Sequence, residues 1–196
     1  MIKVGLTGGI GSGKTAVAKI WEELGASPVY ADDLAKRIMT DDPNVKGKII
    51  ELFGDASYNS DGSLNRPYLA KEAFEKGKVE ELNGIVHPAV FKETKKLFED
   101  AEKKGYKCAF KEAALLLKQG RPADLDVIVF VDADEEIRMQ RVMQRDGVSR
   151  QEVQHRMAKQ NDVLKKDLCD IIIENNRTEE ELRKKAVAVY RGMVTG

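Results

Sequence analysis

Short apolar runs alternate along the chain with longer segments in which apolar residues recur at the helical period. The first run, Ile2–Leu6, predicts a buried strand, and Val17, Ile20 and Trp21 lie on one face of a helix predicted over Ala16–Leu24. The same pattern predicts further strands over Ser27–Tyr30, Lys107–Phe110, Val127–Val131 and Ile171–Ile173. It predicts further helices over Leu34–Met39, Val45–Phe53, Arg66–Glu75, Val79–Lys103, Glu135–Arg145, Arg150–Lys159 and Glu179–Val194. Because strands separated by helical segments pair in parallel, we expect an α/β layered fold.

Two local features modify this pattern in the middle third of the chain. Asp61-Gly62 predicts a turn over Asn59–Leu64. The proline of His87-Pro88 has no N–H, so we expect it to interrupt the helix over Val79–Lys103. Aromatic residues of this region are expected in the core of a helical subdomain, with stacking of one of them on a base as the alternative. These residues are Phe53, Tyr58, Tyr68, Phe74 and Phe91.

Composition narrows the functional classes. A chain of 196 residues is one domain, or one domain with an inserted subdomain. Its 33 basic residues are balanced by 33 acidic residues, which disfavours a globally basic nucleic-acid-binding protein. The apolar runs are far shorter than the ~20 residues of a transmembrane helix, and the N-terminus does not resemble a secretory signal. We therefore expect a cytoplasmic protein without nucleic-acid or membrane partners, in which Cys108 and Cys169 are reduced thiols.

The strongest chemical signal is the segment Gly8–Thr15, which reads Gly-Gly-Ile-Gly-Ser-Gly-Lys-Thr and matches the P-loop pattern. Its glycines allow successive backbone N–H groups to turn inward around an anion, and the N-terminus of the following helix points at the same phosphates. Lys14 supplies a positive charge to the β- and γ-phosphates, and the Thr15 hydroxyl is suited to ligate Mg²⁺. The expected nucleotide contacts are Gly11, Ser12, Gly13, Lys14, Thr15 and Ala16.

Acidic residues follow two of the other strands, near the sheet edge where the carboxyl ends of parallel strands collect. In one interpretation Asp32 accepts a proton from an acceptor hydroxyl or holds Mg²⁺; in the other, Asp32 or Asp33 is the N-cap of the helix over Leu34–Met39. Glu112 either binds Mg²⁺ through water or stabilises the N-terminus of a helix. The residues alone leave both choices open.

Arginines concentrate in the two helices that follow the fourth strand. Arg138, Arg141 and Arg145 share one helix face, and Arg150 and Arg156 follow in the next helix. Arginine is suited to bidentate contact with phosphate oxygens, so the cluster is typical of a lid that closes over a nucleotide. The alternative is a solvated surface.

Several segments together resemble the dephospho-coenzyme A kinase family over essentially the full length of the chain. They are Gly5–Thr15, Ala31-Asp32-x-x-Ala35-Lys36, Asp61-Gly62-x-Leu64-x-Arg66, Leu82-Asn83-x-x-Val86-His87-Pro88, Arg141-x-x-x-Arg145, Arg156-x-x-x-Gln160 and Asn175-Asn176. The resemblance implies an α/β, three-layer P-loop kinase fold with a five-stranded parallel sheet. It implies a single domain over residues 1–196, with a helical acceptor-binding subdomain at about residues 33–104 and a lid at about residues 135–160.

The resemblance also implies a reaction and roles for individual residues. The enzyme would transfer the γ-phosphoryl group of ATP, with Mg²⁺, to the ribose 3′-hydroxyl of dephospho-CoA. Apart from the resemblance, we expect a monomer that self-associates at most weakly. Asp32 would act as the base or orient that hydroxyl, while Lys14, Arg141 and Arg145 would stabilise charge in the transition state. Thr15 is the expected metal ligand. The expected acceptor-binding residues are Asp32, Lys36, Arg66, Asn83 and His87.

The chain departs from the usual family pattern on the acceptor side. Lys36 stands where arginine is common, and Lys118 ends the segment Ala114–Lys118 where the family often carries a carboxylate. Two other functions are compatible with the motifs. One is a different P-loop kinase that acts on a nucleoside, a nucleotide or a small metabolite. The other is a regulator that binds ATP without turnover, which only the change at Lys118 favours.

Overall fold

A computed structural model describes residues 1–161 and 164–195, without the side chains of Phe74 and Asn161. Its strands are β1 (Ile2–Thr7), β2 (Ser27–Tyr30), β3 (Cys108–Glu112), β4 (Val127–Asp132) and β5 (Ile171–Glu174). Its α-helices are α1 (Lys14–Glu23), α2 (Ala31–Asp41), α3 (Pro43–Phe53), α4 (Arg66–Glu75), α5 (Val79–Lys103), α6 (Glu135–Asp146), α7 (Arg150–Asn161) and α8 (Glu179–Thr195). Each strand and helix that the pattern predicts is present, with ends that differ by a few residues.

The strands form one sheet in the order β2-β3-β1-β4-β5. β1 pairs in parallel with β3, from Ile2 opposite Cys108 to Leu6 opposite Glu112, and in parallel with β4 on its other side. β4 pairs in parallel with β5. The central strands β1 and β4 are buried over most of their length, as is usual for a parallel sheet covered by helices on both faces. The expected three-layer α/β fold with a five-stranded parallel sheet is confirmed.

The chain divides into two compact units, and the first comprises residues 1–29 and 98–196. In its core the indole of Trp21 meets the ring of Phe110 edge to face, with 5.6 Å between ring centroids. The indole N–H of Trp21 donates to the carbonyl of Ala186 at 2.9 Å, which fixes α1 against α8. Both cysteines are free, as expected, and burial raises the pKa of the Cys108 thiol to about 12. The strand before the P-loop and the helix after it are therefore both anchored in a packed core.

The second unit comprises residues 30–97 and is helical. The carboxylate of Asp42 caps α3 by accepting from the backbone N–H of Asn44 at 2.8 Å, and Asn65 caps α4 in the same way. Between these helices the predicted turn over residues 59–64 is present, closed by a β-bridge between Tyr58 and Leu64.

Most of the aromatic residues in this unit lie in its core or brace it. Phe53 is buried, and its carbonyl accepts from the Tyr68 hydroxyl at 2.9 Å. The hydroxyl of Tyr58 donates to the carbonyl of Met39 at 2.7 Å. Phe91 is different, because 52% of it is exposed on α5, so the expectation that it belongs to the core is wrong. The side chain of Phe74 lies outside the described residues.

α5 runs without a break from Val79 to Lys103, so the predicted interruption at His87-Pro88 is wrong. Proline removes one hydrogen bond of the helix, but here the residue is exposed. Val86, Val90 and Thr94 continue a buried stripe past it, so packing holds the helix on both sides of the defect. No helix in the described part of the chain is long and apolar enough to span a bilayer.

α2 begins three residues earlier than the sequence pattern predicts. Its N-cap is Tyr30, without a capping hydrogen bond from a side chain, and Asp32 and Asp33 lie inside the first turn. The interpretation of either aspartate as the N-cap is therefore wrong. Both carboxylates still lie at the positive end of the helix dipole, which is favourable for negative charge.

Candidate active site

The P-loop lies between the end of β1 at Thr7 and the start of α1 at Lys14. It is closed by a hydrogen bond from the backbone N–H of Ser12 to the carbonyl of Gly9, at 3.1 Å. Gly13 is the N-cap of α1 with a φ of 99°, a left-handed conformation that favours glycine, and no side chain caps the helix. The first turn of α1 thus keeps its N-terminal dipole and N–H groups directed at the loop, an arrangement suited to an anion.

The side chains at the start of α1 follow the expectation for a phosphate site. The amino group of Lys14 reaches back over the loop to the carbonyl of Gly9 at 3.3 Å. Thr15 and Ala16 are exposed on the first turn. The charge of Lys14 is therefore held at the loop, and the Thr15 hydroxyl lies on an accessible surface.

A polar side chain from the segment between β5 and α8 supports the loop. Asn175, which follows β5, is 6% exposed, and its amide N–H donates to the carbonyl of Ser12 at 2.8 Å. Its amide oxygen accepts from the guanidinium of Arg141 at 3.4 Å. A Cβ at Gly13 would collide with the Asn175 amide, so this approach requires glycine. The motif Asn175-Asn176 is visible in the sequence, but the sequence indicates no role for Asn175.

The hairpin of α6 and α7 forms a second brace. Ile10 of the loop packs against a buried cluster made by Met139, Val142, Val153 and Met157. The backbone N–H of Ile10 donates to the side-chain oxygen of Gln160 on α7 at 2.8 Å. The hairpin that was expected to form a lid therefore contacts the P-loop directly through both apolar and polar contacts.

Two of the five hairpin arginines lie beside the P-loop. A Cβ at Gly9 would collide with the guanidinium of Arg138, and Arg141 reaches the loop through Asn175. Nε of Arg138, Nη1 of Arg141 and the Ser12 hydroxyl are buried without a hydrogen-bond partner among the described residues. Buried donors of this kind are costly unless a ligand or solvent satisfies them, and a phosphate group supplies the matching acceptors.

The other three arginines pair with carboxylates of the hairpin. Arg145 and Arg156 both donate to Asp146, and Arg150 donates to Glu136. The five arginines of α6 and α7 are therefore divided between the loop and surface ion pairs. A phosphate site describes the two arginines beside the loop, and a solvated surface describes the other three.

The expected acceptor-side residues lie in the second unit. Asp32 is exposed in the first turn of α2, and the amino group of Lys36 pairs with Asp33 at 2.7 Å. Arg66 is the exposed first residue of α4. Asn83, half-buried, and His87, exposed, are one turn apart on α5 and share a face.

That face of α5 carries a third residue, which was not among the acceptor-binding residues expected from the sequence. Phe91 lies one turn beyond His87, so Asn83, His87 and Phe91 follow one another at intervals of four residues. The helical spacing was visible in the sequence, but only the structure shows that the phenyl ring is exposed rather than buried.

Glu112 is the last residue of β3, and a turn rather than a helix follows it. Its interpretation as a helix N-terminal residue is therefore wrong. Among the described residues there is no cluster of three or more His, Cys, Asp or Glu side chains placed to hold a metal ion. Thr15 can fit Mg²⁺ because this ion commonly takes one or two protein oxygens and completes its shell with phosphates and water.

Comparisons with known proteins agree with this geometry. The family model described as dephospho-CoA kinase matches residues 2–181. A dephospho-CoA kinase of Salinibacter ruber is 42% identical over 200 residues, with 100% of both chains covered. One from Corynebacterium efficiens is 37% identical, with 100% of this chain and 98% of the relative covered.

Solved structures show the same fold. The crystal structure of TT1252 from Thermus thermophilus matches with a TM-score of 0.82 and 30% identity, over 100% of this chain and 98% of that one. A dephospho-CoA kinase from Campylobacter jejuni matches with a TM-score of 0.67 and 22% identity, over 99% and 98% of the two chains. The sequence, the P-loop geometry and the full-length matches lead to one conclusion: this chain belongs to the dephospho-CoA kinase family.

Proposed function

We propose that this chain transfers the γ-phosphoryl group of ATP to the ribose 3′-hydroxyl of dephospho-CoA and releases ADP and CoA, the last step of CoA synthesis. The observation that carries the proposal is a P-loop braced from two sides, in a chain that matches the family model over residues 2–181. A rigid nest of N–H groups supports phosphate binding because little reorganisation is needed when the charge arrives.

At the phosphate end, the backbone of the loop and Lys14 hold the β- and γ-phosphates of ATP. Arg141 and Arg145 neutralise charge that develops on the transferred group. The buried donor on Arg141 supports this role for the first of them. Thr15 would hold Mg²⁺, which would neutralise negative charge on the phosphates.

At the acceptor end, Asp32 orients the 3′-hydroxyl and accepts its proton. The hydroxyl oxygen forms a bond to the γ-phosphorus while the bond from that phosphorus to the bridging oxygen breaks, and the electron pair leaves with ADP. The exposure of Asp32 supports this role, because an acceptor can reach the carboxylate.

The remaining acceptor contacts come from Lys36, Arg66, Asn83 and His87. Lysine and arginine suit the negatively charged phosphates of dephospho-CoA, while the amide and imidazole supply hydrogen bonds. Phe91 extends the face formed by Asn83 and His87 with an exposed aromatic ring, which is suited to stack on the adenine base. We also propose that the enzyme works as a cytoplasmic monomer without nucleic-acid or membrane partners.

The proposal is tested by measuring ADP release with ATP and Mg²⁺ alone and with a panel of acceptors. The panel contains dephospho-CoA, adenosine, AMP and shikimate. We expect turnover to rise with dephospho-CoA well above the rate in its absence, and to exceed the rate with each of the other acceptors. A higher kcat/KM with another acceptor would indicate a different P-loop kinase. ATP binding without any acceptor-dependent turnover would indicate a regulator. Light scattering of the same sample measures the mass in solution.

A further inference from the structure

The carboxylate of Asp146 holds two arginines that come from different helices. Arg145 donates to it side-on, with Nε to Oδ1 at 2.7 Å and Nη2 to Oδ2 at 3.1 Å. Arg156 of α7 donates to the same Oδ2 from Nη1 at 3.0 Å. Asp146 is the last residue of α6, so the shared carboxylate joins the two helices of the hairpin at the turn between them.

This arrangement brings together two positive groups that would otherwise repel each other. One carboxylate shared by two guanidinium groups leaves the trio with a net charge of +1, and the hydrogen bonds from Arg145 and then Arg156 hold the pKa of Asp146 below its usual range. The trio therefore keeps its charges across the neutral pH range, and it still offers a positive surface to an anion.

The geometry also leaves donors available. A guanidinium has five N–H donors, and the two bonds to Asp146 occupy two of those on Arg145. Within residues 1–161 and 164–195 the Nη1 group of Arg145 has no hydrogen-bond partner, so it remains available for a phosphate oxygen. An arginine that is already oriented loses less side-chain freedom when it binds, so the carboxylate prepares the side chain for that contact.

We propose that Asp146 is a positioning residue that orients Arg145, and through the shared carboxylate Arg156, toward the phosphates of the bound nucleotide. The inference rests on the proposed function, in which Arg145 neutralises charge on the transferred group. It goes beyond that function because Asp146 itself touches neither substrate nor reacting atoms. Its effect on the reaction passes through Arg145.

The hairpin offers a matched control for this inference. Glu136 on α6 accepts from Arg150 on α7 through two hydrogen bonds of 2.9 and 2.7 Å. This ion pair joins the same two helices and is as exposed as an ordinary surface pair. Its loss should weaken the hairpin as much as the loss of the Asp146 pairs, but it involves no arginine assigned to phosphate.

The test is a double-mutant cycle with Asp146→Asn, Arg145→Ala and the double variant, beside Glu136→Gln as control. We expect Asp146→Asn to lower kcat/KM for ATP about tenfold or more, since misplacing a catalytic group costs up to ~10²-fold. In the Arg145→Ala background the same change should cost less than about threefold, because coupled residues are not additive. Asp146→Glu should recover part of the loss, and Glu136→Gln should stay within about twofold of wild type.

Melting temperature and ATP affinity complete the test. We expect Asp146→Asn and Glu136→Gln to shift Tm by similar amounts, below about 4 °C. Calorimetry without acceptor should show weaker ATP binding only for Asp146→Asn. The inference would be overturned if Asp146→Asn lowered kcat/KM equally in the wild-type and Arg145→Ala backgrounds, left it unchanged, or raised it. It would also be overturned if Arg145→Ala itself had no effect on kcat/KM. A wild type that ignores dephospho-CoA would instead overturn the proposed function, and the ATP affinities would still test the role of Asp146.

Discussion

The P-loop in the first unit and the acceptor-side helices in the second unit differ in how far their candidate side chains are fixed by the protein. Around the P-loop, the Asn175 amide donates to the loop backbone at 2.8 Å and the Gln160 side chain accepts from it at 2.8 Å. The amino group of Lys14 contacts the same backbone. In the second unit, Asp32 and His87 are exposed on helix surfaces.

This difference indicates that binding is organised differently at the two ends of the reaction. A preformed nest suits phosphate, because every nucleotide presents the same group. The donors are already oriented in the folded protein and need little rearrangement when the nucleotide binds. Exposed residues on helices gain their contacts only when the acceptor binds. Substitutions near the loop should therefore change both stability and ATP binding, whereas substitutions on the acceptor side should change kinetics alone.

The largest expected effect comes from Asp32. If its substitution changed stability rather than turnover, the proposed difference between the two units would be wrong. Asp32→Asn keeps the shape of the side chain but removes the base, so kcat should fall about 10²–10⁴-fold. Loss of the negative charge in the first turn of α2 should lower Tm by no more than about 4 °C. The matched control is Asp33→Asn, the neighbouring aspartate that pairs with Lys36, which should stay within a few-fold of wild type. Steady-state kinetics with dephospho-CoA measure both; near-full kcat in Asp32→Asn would exclude its role.

Lys14 tests the phosphate end in the same way. Lys14→Met removes the charge held over the loop, and kcat should fall about 10²–10³-fold because one preorganised donor is lost. Lys19 lies on the exposed surface of the same helix, so Lys19→Met should leave kcat within about twofold. If the two variants were equally active in the ADP-release assay, the P-loop would not act as proposed.

Asn175 and its neighbour Asn176 test whether the hydrogen bonds around the P-loop contribute to the stability of the protein. Asn175→Ala leaves the buried carbonyl of Ser12 without its donor and should lower the free energy of unfolding by about 1–3 kcal/mol, with a higher KM for ATP. Asn176 makes exposed hydrogen bonds with Asp134, so Asn176→Ala should cost no more than about 0.5 kcal/mol. Denaturant unfolding of both variants measures the difference, and equal costs would mean that the brace contributes nothing.

Phe91 gives the smallest expected effect and tests the acceptor side. Phe91→Ala should raise KM for dephospho-CoA about tenfold, in the range measured for stacking of a base on an aromatic ring, with KM for ATP and Tm unchanged. Phe91→Trp should preserve the low KM, whereas Phe91→Leu should not. If leucine served as well as tryptophan, the contact would be apolar rather than stacking.

The sequence predicts the phosphate end well because its chemistry is local. Gly8–Thr15 contains the loop, the lysine and the hydroxyl within one short segment, and the strand and helix around it follow from apolar spacing. The support for that loop could not be predicted in the same way. Asn175 and Ser12 are 163 positions apart, and nothing in local periodicity indicates that they meet.

The errors in the prediction all come from local signals of residue type and position. Pro88 signals a break locally, but burial of Val86 and Val90 keeps α5 continuous. Phe91 signals a core residue by its type, yet it is exposed. Asp32 signals an N-cap by its position before an apolar run, yet α2 begins at Ala31. In each case residue type and spacing give only a local preference, which the folded chain overrides; at Pro88 the buried neighbours Val86 and Val90 supply the reason.

The most direct test of the account is to identify where the phosphate is placed on the product. Phosphorus NMR of dephospho-CoA incubated with ATP, Mg²⁺ and the wild-type chain should show a new phosphomonoester at the ribose 3′ position, formed in equal amount to ADP. The same sample with Asp32→Asn should show almost none over the same time. A phosphate at another hydroxyl, or unchanged dephospho-CoA while ATP is consumed, would contradict the account.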